Sequence, residues 1–166
     1  MKRILITGGH RAGKTTKALK LAEAYPKKLY LATAEAFDEE MTEKIEKHKA
    51  ERDESFVTFE EPIKLAQALK QAPRSDLIIV DCLTVWINNL IHYGKDVQSA
   101  LDGLFTILPE IKTDIIFVTN ESSFCLIPPD SVSRKYLLFL AETNRQVASL
   151  ADEVWLMISG LGTRLK

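Results

Sequence analysis

Short runs of consecutive apolar residues alternate with longer stretches of helical periodicity along this chain. Runs that are apolar at successive positions are typical of strands buried on both faces of a sheet. We predict strands at residues 3–7, 28–32, 56–59, 76–80, 114–119 and 154–159. Because helical stretches separate these strands, the pattern predicts an α/β fold with a mostly parallel sheet and helices on both faces. In such sheets, ligands bind at the carboxyl ends of the strands.

The stretches between the strands predict helices. Their expected bounds are residues 14–25, 37–52, 62–71, 82–93, 96–108 and 130–150. Pro26 is expected to end the first helix, Pro62 is acceptable in a first helical turn, and Asp130 or Ser131 is a plausible N-cap. Residues 160–166 are expected to close a C-terminal antiparallel hairpin with the last strand. No repeat or linker interrupts the pattern, so we expect one domain spanning residues 1–166.

The composition is ordinary for a globular protein, with 46% hydrophobic and 27% charged residues. A net charge of −1 creates no broad basic field, so we expect no nucleic-acid partner. Two cysteines, Cys82 and Cys125, are too few for a disulfide framework, and we expect both to be reduced thiols. We see no signal-peptide pattern and no apolar run of membrane-spanning length, so we expect a cytoplasmic protein.

A glycine-rich segment follows the first predicted strand and opens the first predicted helix. It matches the pattern G-x-x-x-x-G-K-[ST], which predicts a phosphate-binding P-loop. The predicted nucleotide-binding residues are Gly8, Gly9, His10, Arg11, Ala12, Gly13, Lys14 and Thr15. Backbone N–H groups of such a loop point at phosphate oxygens, and the N-terminus of the following helix favours negative charge. Lys14 is expected to reach the β- and γ-phosphates and Thr15 to bind Mg²⁺, whereas His10 is expected to face solvent.

Asp81 directly follows the apolar run at 77–80, which places it at the carboxyl end of a predicted strand. P-loop enzymes hold Mg²⁺ through an acidic residue at such a position. We therefore predict a metal site formed by Thr15 and Asp81. Asp81 is also a plausible N-cap for the next helix, and both roles could coexist. Cys82, beside it, is expected to be a packed side chain rather than a nucleophile.

A stripe of residues on the predicted helix at 37–52 includes a histidine. Met41, Ile45, His48 and Arg52 follow one another at spacings of four, three and four, which places them on one face. His48 and Arg52 are therefore expected to point together toward the protein or a cleft. A neutral imidazole is a competent nucleophile toward phosphorus, and an arginine beside it would stabilise phosphate charge. The spacing alone favours a structural histidine.

Further segments accompany the P-loop in a fixed order. They are residues 30–35 (Tyr-Leu-Ala-Thr-Ala-Glu), 45–52 (Ile-Glu-Lys-His-Lys-Ala-Glu-Arg), 58–60, 80–84, 118–121, 144–146, 151–155 and 159–160. With the P-loop, these segments cover nearly the whole chain. In this combination the chain resembles the bifunctional adenosylcobinamide kinase/adenosylcobinamide-phosphate guanylyltransferase family of cobalamin biosynthesis.

The resemblance implies two reactions on a corrinoid substrate. A nucleoside triphosphate, ATP or GTP, phosphorylates the aminopropanol hydroxyl of adenosylcobinamide. GTP then transfers GMP to a histidine, and the GMP moves on to adenosylcobinamide phosphate. By motif position the resemblance implies that His48 is the guanylylated nucleophile, with Lys14 assisting catalysis and Mg²⁺ as the cofactor. The other implied GTP-site residues are Thr33, Ala34, Glu35, Lys49, Ala50, Glu51, Arg52, Glu60 and Asp81.

The resemblance also implies a P-loop fold assembled as a homotrimer. This chain departs from the family pattern at residues 122–128, Ser-Ser-Phe-Cys-Leu-Ile-Pro, where the family usually carries glycines. Two alternatives remain open at this point: a P-loop kinase of another small alcohol with a structural His48, and a nucleotide-dependent switch. Asn120 is followed by Glu121, so the Asn-Lys-x-Asp guanine signature is absent and GTP use is implied by the resemblance alone.

Overall fold

A computed structural model of the chain describes residues 1–36, 39–50 and 52–166. Within 39–50, the side chains at positions 40, 41, 44, 47 and 48 lie outside the described part. Across the described residues, seven strands form one sheet in the order β3-β2-β4-β5-β1-β6-β7. The strands are β1 (Arg3–Gly8), β2 (Lys28–Ala32), β3 (Phe56–Glu60), β4 (Leu77–Asp81), β5 (Asp114–Val118), β6 (Glu153–Ile158) and β7 (Leu161–Arg164).

Five of the six strand pairs are parallel, and β6 with β7 forms the antiparallel hairpin predicted from the sequence. The helices are α1 (Lys14–Ala22), α2 (Glu39–Ala50), α3 (Leu65–Gln71), α4 (Leu83–His92), α5 (Val97–Ile107) and α6 (Ser131–Leu150), with a 3₁₀ turn at Leu108–Glu110. In the described parts of the chain, no helix combines the length and apolar character needed to cross a bilayer.

The sheet separates two apolar clusters, because successive residues of its inner strands point to opposite faces. Along β4, Ile78 and Val80 join the cluster that α3 to α6 cover. Leu77 and Ile79 join the other cluster, which α1 covers. All four side chains are almost fully buried, as the continuous apolar run predicts. The predicted α/β fold with helices on both faces is therefore confirmed.

The third helix begins later than its sequence predicts. Residues 62–71 were expected to be helical, but α3 begins at Leu65. One carboxylate oxygen of Glu61 accepts hydrogen bonds from the backbone N–H groups of Ile63 (2.9 Å) and Lys64 (2.7 Å). These bonds satisfy two donors in a turn outside the helix, so Pro62 lies before α3 and not in its first turn.

The bounds of two other helices also differ from the prediction. Helix α1 ends at Ala22 rather than at Tyr25, whose N–H closes a turn onto the Ala22 carbonyl at 3.0 Å. Helix α2 ends at Ala50, so Arg52 lies beyond it and the predicted helical stripe does not extend that far. The predicted N-cap of α6 is confirmed for Asp130, whose carboxylate accepts the N–H of Ser133 at 2.7 Å.

Candidate nucleotide-binding site

Gly8, Glu60 and Asp81 end strands at the carboxyl edge of the sheet, and the P-loop and residues 33–35 follow strands that end there. The register places Ala32 of β2 beside Asp81 of β4 and Glu60 of β3. Gly8 ends β1, two strands beyond Asp81 in the sheet order. Neighbouring strands lie about 4.8 Å apart, so Glu60 and Asp81 are separated by roughly 10 Å of sheet. The parallel arrangement brings these chain-distant residues to one edge.

The segment from Gly8 to Thr15 forms the strand–loop–helix structure expected of a P-loop. Gly13 precedes α1 with a φ of 87°, and Arg11 also has a positive φ of 53°. Gly8 has a φ of 149°, and a Cβ there would lie 2.3 Å from the carbonyl oxygen of Met157. A glycine is therefore required at position 8 by its neighbour β6 as well as by its backbone conformation.

Main-chain hydrogen bonds hold this loop from several sides. The Ala12 N–H donates to the Gly9 carbonyl at 3.3 Å, which closes a turn inside the loop. The Gly8 carbonyl accepts the N–H of Glu121 at 3.0 Å, and the Ala12 carbonyl accepts the N–H of Gly160 at 3.2 Å. Ala12 is buried, while His10 and Arg11 are exposed, as was expected for His10. The segments after β5 and β6 therefore support the loop.

Lys14, the first residue of α1, folds back over the loop. Its Nζ donates to the carbonyl oxygens of Gly8 (3.2 Å) and Gly9 (2.6 Å). The ammonium group is thus held at the open side of the loop by backbone oxygens. Anions are favoured at a helix N-terminus, because the first N–H groups of the helix lack intrahelical acceptors. The loop, the helix N-terminus and Lys14 together form a place where a polyphosphate would be stabilised.

Thr15 and Asp81 meet as the sequence predicts. The Thr15 hydroxyl donates to Oδ2 of Asp81 at 3.0 Å. A hydroxyl and a carboxylate are hard oxygen donors, and this pair suits Mg²⁺, which takes its remaining ligands from phosphates and water. The described residues contain no group of three or more His, Cys, Asp or Glu side chains able to hold a metal by themselves. The donor set fits a nucleotide-bound cation rather than an all-protein metal cage.

The alternative role of Asp81 as a helix N-cap is wrong. Cys82 occupies the N-cap position of α4 and makes no side-chain capping bond. The Asp81 carboxylate instead accepts the hydroxyls of Thr15 and Tyr30. Cys82 packs against the apolar cluster under α1, and its pKa is raised to about 11, chiefly by burial and next by the Asp81 charge. The thiol is therefore protonated near neutral pH, which agrees with a packing role.

Tyr30 is a site residue that the sequence reasoning did not identify. Its hydroxyl donates to Oδ2 of Asp81, the oxygen that also accepts Thr15. Burial and then the Asp81 charge raise the pKa of Tyr30 well above its ordinary value, so the hydroxyl keeps its proton. The alternation of β2 places Tyr30 and Ala32 on one face, but only the pairing of Ala32 with Asp81 in the sheet shows that this face borders the site.

The residues after β2 have distinct surroundings. Thr33 is fully buried, and its hydroxyl donates to the carbonyl of Cys82 (2.8 Å) and accepts its N–H (2.9 Å). This hydroxyl already joins β2 to the end of β4. Ala34 and Glu35 are half-buried, and Oε2 of Glu35 is a buried oxygen that has no hydrogen-bond partner among the described residues. Burial and the Glu35 carboxylate raise the pKa of Tyr93. A nucleotide role for residues 33–35 stays a prediction.

The end of α2 and Arg52, which follows it, contact residues of β3 and β2. Lys49 forms an ion pair with Glu60 at the end of β3, with 2.7 Å between Nζ and Oε1. Arg52 lies with its Cζ 4.0 Å from the ring centroid of Tyr30. Ala50 is the exposed last residue of α2. An open cavity of about 340 Å³ lies between this segment and β3. Its lining residues are Lys49, Arg52, Asp53, Phe56, Thr58 and Glu60.

Two predicted site residues lie partly or wholly outside the described part of the chain. The backbone of His48 belongs to α2, but its side chain lies outside the described residues, as does the whole of Glu51. Among the residues that follow His48 in the chain, Lys49 and Arg52 are described. Catalysis by His48 and nucleotide binding by Glu51 remain predictions.

A buried polar network lies beside the segment after β5 that supports the P-loop, and the sequence did not predict it. Asn144 of α6 accepts the Thr119 hydroxyl at 2.8 Å and donates to the carbonyl of Asn120 at 2.8 Å. The Thr84 hydroxyl accepts the N–H of Asn120 at 2.7 Å. Because the next residue, Glu121, bonds to the Gly8 carbonyl, the network fixes the segment that supports the loop. Its members come from three distant parts of the chain, so no local pattern reveals it.

Known proteins resemble this chain over its whole length. It is 36% identical over 170 residues to "Bifunctional adenosylcobalamin biosynthesis protein CobP" of Pseudomonas aeruginosa, covering 99% of this chain and 97% of that protein. It is 31% identical over 180 residues to "Bifunctional adenosylcobalamin biosynthesis protein CobU" of Salmonella typhimurium, covering 98% and 99%. The protein of that name from Escherichia coli is 28% identical over 179 residues, again covering 98% and 99%.

A solved structure shares the fold at low sequence identity. It is described as "Structural and biochemical analysis of a prototypical ATPase from the type III secretion system of pathogenic bacteria". The TM-score is 0.59 at 14% identity, and the match covers 93% of this chain and 50% of that one. This likeness supports a P-loop type of fold.

The family described as "Cobinamide kinase / cobinamide phosphate guanyltransferase" matches residues 4–165. The P-loop, the Thr15–Asp81 pair and the segments after β2 and α2 lie within this match, in a chain whose curated relatives align end to end. The chain therefore belongs to the cobinamide kinase / cobinamide phosphate guanyltransferase family and is an enzyme with both of these activities.

Proposed function

We propose that the chain uses the edge of the sheet at β1, β4 and β2 for two successive reactions on one corrinoid. ATP or GTP phosphorylates the aminopropanol hydroxyl of adenosylcobinamide, and GTP then donates GMP to the resulting phosphate. The observation that carries the proposal is the contact of Thr15 with Asp81 at 3.0 Å beside a complete P-loop. The products of the second reaction are adenosylcobinamide-GDP and pyrophosphate.

In the first reaction, the loop binds the triphosphate through its N–H groups and through Lys14. The hydroxyl oxygen of the acceptor attacks the γ-phosphorus, the bond to the β-phosphate oxygen breaks, and the acceptor loses its hydroxyl proton. Lys14 would leave the carbonyls of Gly8 and Gly9 to contact the β- and γ-phosphates. Thr15 and Asp81 would hold Mg²⁺, which neutralises charge on the phosphates when bound. Catalysis is then mostly positioning and charge stabilisation.

In the second reaction, a nitrogen of His48 attacks the α-phosphorus of GTP and pyrophosphate leaves. A phosphate oxygen of adenosylcobinamide phosphate then attacks the same phosphorus, the N–P bond breaks, and His48 is restored. The covalent step divides one difficult transfer into two easier ones. Lys49 and Arg52, which follow His48 in the chain, place two cations close to β2 and β3, and Glu60 pairs with the first of them. This charge supports the assignment of residues 49–52 to the nucleotide site.

The test of this proposal is covalent labelling of the protein. The chain has three histidines, His10, His48 and His92. Purified protein is incubated with Mg²⁺ and GTP labelled with ³²P at the α-phosphate, quenched, and examined for acid-labile, alkali-stable label. We expect label on the wild type and on His92→Ala, and none on His48→Ala. GTP labelled at the γ-phosphate should leave no label, which separates guanylylation from phosphorylation.

The outcome that contradicts the proposal is clear in the same experiment. Absence of α-label from a wild-type protein that binds GTP would exclude the His48 intermediate. The chain would then act as a kinase whose guanylyl transfer proceeds without a covalent enzyme–GMP intermediate.

Two wider expectations, a homotrimer and a cytoplasmic location, rest on the family resemblance and on the sequence. Sedimentation of the purified protein tests the trimer.

A further inference from the structure

Tyr30 contacts both Asp81, one of the two predicted cation-binding residues, and Arg52, which follows α2. Oδ2 of Asp81 accepts both the Tyr30 hydroxyl and the Thr15 hydroxyl. Two donors on one carboxylate oxygen restrict rotation of the carboxyl group, because rotation would break both hydrogen bonds. The Asp81 side chain is therefore held in one orientation by a residue outside the P-loop motif.

The sheet fixes the position of the tyrosine itself. Tyr30 pairs with Ile79 on β4, two residues before Asp81, so Tyr30 and Asp81 point to the same face. A residue on the neighbouring strand and two positions further along lies about 8 Å away, a separation that the long tyrosine side chain spans. Tyr30 is 3% exposed, and its ring makes an edge contact with Phe56 at a centroid separation of 6.4 Å. The ring has little freedom to move.

Arg52 lies against the same ring. Its Cζ is 4.0 Å from the ring centroid, within the range of a cation–π contact. The hydroxyl end of Tyr30 thus contacts Asp81 while its face contacts the residue that ends the Lys49–Arg52 segment. Thr15, the other hydroxyl donor to this oxygen, belongs to the P-loop, whereas Tyr30 also contacts Arg52. Tyr30 is therefore a direct connection between the two halves of the site.

We propose that Tyr30 is a positioning residue that orients the Asp81 carboxylate toward the nucleotide-bound divalent cation and links that orientation to Arg52. The proposal rests on the proposed function only in treating Thr15 and Asp81 as the cation side of the site. It requires neither the corrinoid nor the His48 intermediate. Partners of this kind behind a metal ligand typically change metal affinity or activity by about 10- to 100-fold when they are removed.

The substitution Tyr30→Phe removes the hydroxyl and keeps the ring against Phe56 and Arg52. Titration calorimetry measures the affinity for a GTP analogue with a methylene group between the α- and β-phosphorus atoms, which cannot transfer GMP. Each protein is titrated in EDTA and again in saturating Mg²⁺. We expect Tyr30→Phe to bind the metal-free analogue as the wild type does, and to lose about tenfold of the Mg²⁺-dependent gain in affinity.

The matched control is Tyr25→Phe, which removes a similar bond at the opposite edge of the sheet. The Tyr25 hydroxyl donates to Oδ2 of Asp114 at 2.8 Å, at the start of β5. We expect this variant to keep the full Mg²⁺-dependent gain. A thermal unfolding curve for each variant separates a local effect from loss of the fold. If Tyr30→Phe keeps the gain, or if both variants lose it equally, the positioning role is excluded.

The link to Arg52 is tested by a double-mutant cycle. Arg52→Gln is introduced into the wild type and into Tyr30→Phe, and the Mg²⁺-dependent gain is measured again. If Arg52 acts through the hydroxyl, its removal lowers the gain in the wild type and has no further effect in Tyr30→Phe. Losses that simply add would overturn the link. Because the readout needs no chemistry, failure here leaves the labelling of His48 untouched, and failure of that labelling leaves this result untouched.

Discussion

The substitution Gly8→Ala tests how tightly the P-loop is built against its neighbour strand. Gly8 pairs with Met157 of β6, and its φ is 149°. An added Cβ would lie 2.3 Å from the Met157 carbonyl oxygen and 3.0 Å from the carbonyl carbon. Ordinary contacts between carbon atoms lie at about 3.5–4.0 Å, so one of the two strands would have to move by about 1 Å. No side-chain rotation can relieve this clash, because two of the obstructing atoms belong to the backbone and the third is the Met157 Cβ at 3.0 Å, which side-chain rotation does not move.

The expected loss of stability follows from two contributions. A backbone conformation that disfavours a side chain costs about 1–3 kcal/mol, and overpacking of a tight contact costs about 1–3 kcal/mol more. We therefore expect Gly8→Ala to lower the free energy of unfolding by about 2–6 kcal/mol. For a chain of this size, a loss of 3 kcal/mol corresponds to a fall of roughly 6–12 °C in the melting temperature.

Gly9→Ala is the matched control within the same loop. A Cβ at Gly9 would meet nothing within 4 Å, so we expect its unfolding free energy to stay within about 0.5 kcal/mol of the wild type. Urea unfolding followed by circular dichroism, with thermal scans as a second measurement, provides the comparison. If Gly8→Ala is as stable as the wild type, or no less stable than Gly9→Ala, the reasoning about β6 is wrong.

Three further predictions concern other parts of the molecule. Cys125 is exposed and the Cys82 pKa is about 11, so a thiol reagent at pH 8 should modify one thiol rapidly in the native protein and two after unfolding. The pKa of Glu153 lies below its ordinary value of 4.5, mainly because of a hydrogen bond from Lys2. Its stabilising effect is present above pH 4.5 and is lost as the pH falls through the lower native pKa, so Glu153→Gln should weaken the acid dependence of unfolding. Asn144→Ala leaves buried partners unpaired and should cost about 1–3 kcal/mol in denaturant unfolding, whereas substitution of the exposed Arg145 by Ala should cost far less.

Local patterns were sufficient for much of the fold. The limits of β2 at Lys28–Ala32 agree with the prediction, because its apolar run has clear ends. Helix α3 was placed too early because the sequence does not reveal that Glu61 satisfies the N–H groups of the preceding turn. The sequence also does not predict the strand order, because this order depends on pairing between distant segments.

Some residues of the site could likewise be predicted from the sequence, and others could not. Thr15 and Asp81 could be predicted because each carries a positional signal, one in a motif and one at the end of an apolar strand. Tyr30 could not, because a tyrosine in a strand ordinarily indicates packing, and its hydroxyl gains meaning only when β2 lies beside β4. The network around Asn144 depends on how α6 lies over the sheet, which no local spacing encodes.

The main-chain bonds around Gly8 and Ala12 have a consequence for ligand binding. The Glu121 and Gly160 N–H groups hold the loop by its carbonyl oxygens, so these two supports use none of the N–H groups of the loop, of which Ala12 already donates its own to Gly9. A loop that already has its bound shape is preorganised, and binding then costs less conformational entropy. Nucleotide affinity in this chain should accordingly depend on residues near Glu121 and Gly160, which never need to touch the nucleotide. Sequence changes in those two supports would tune affinity while the motif itself stays unchanged.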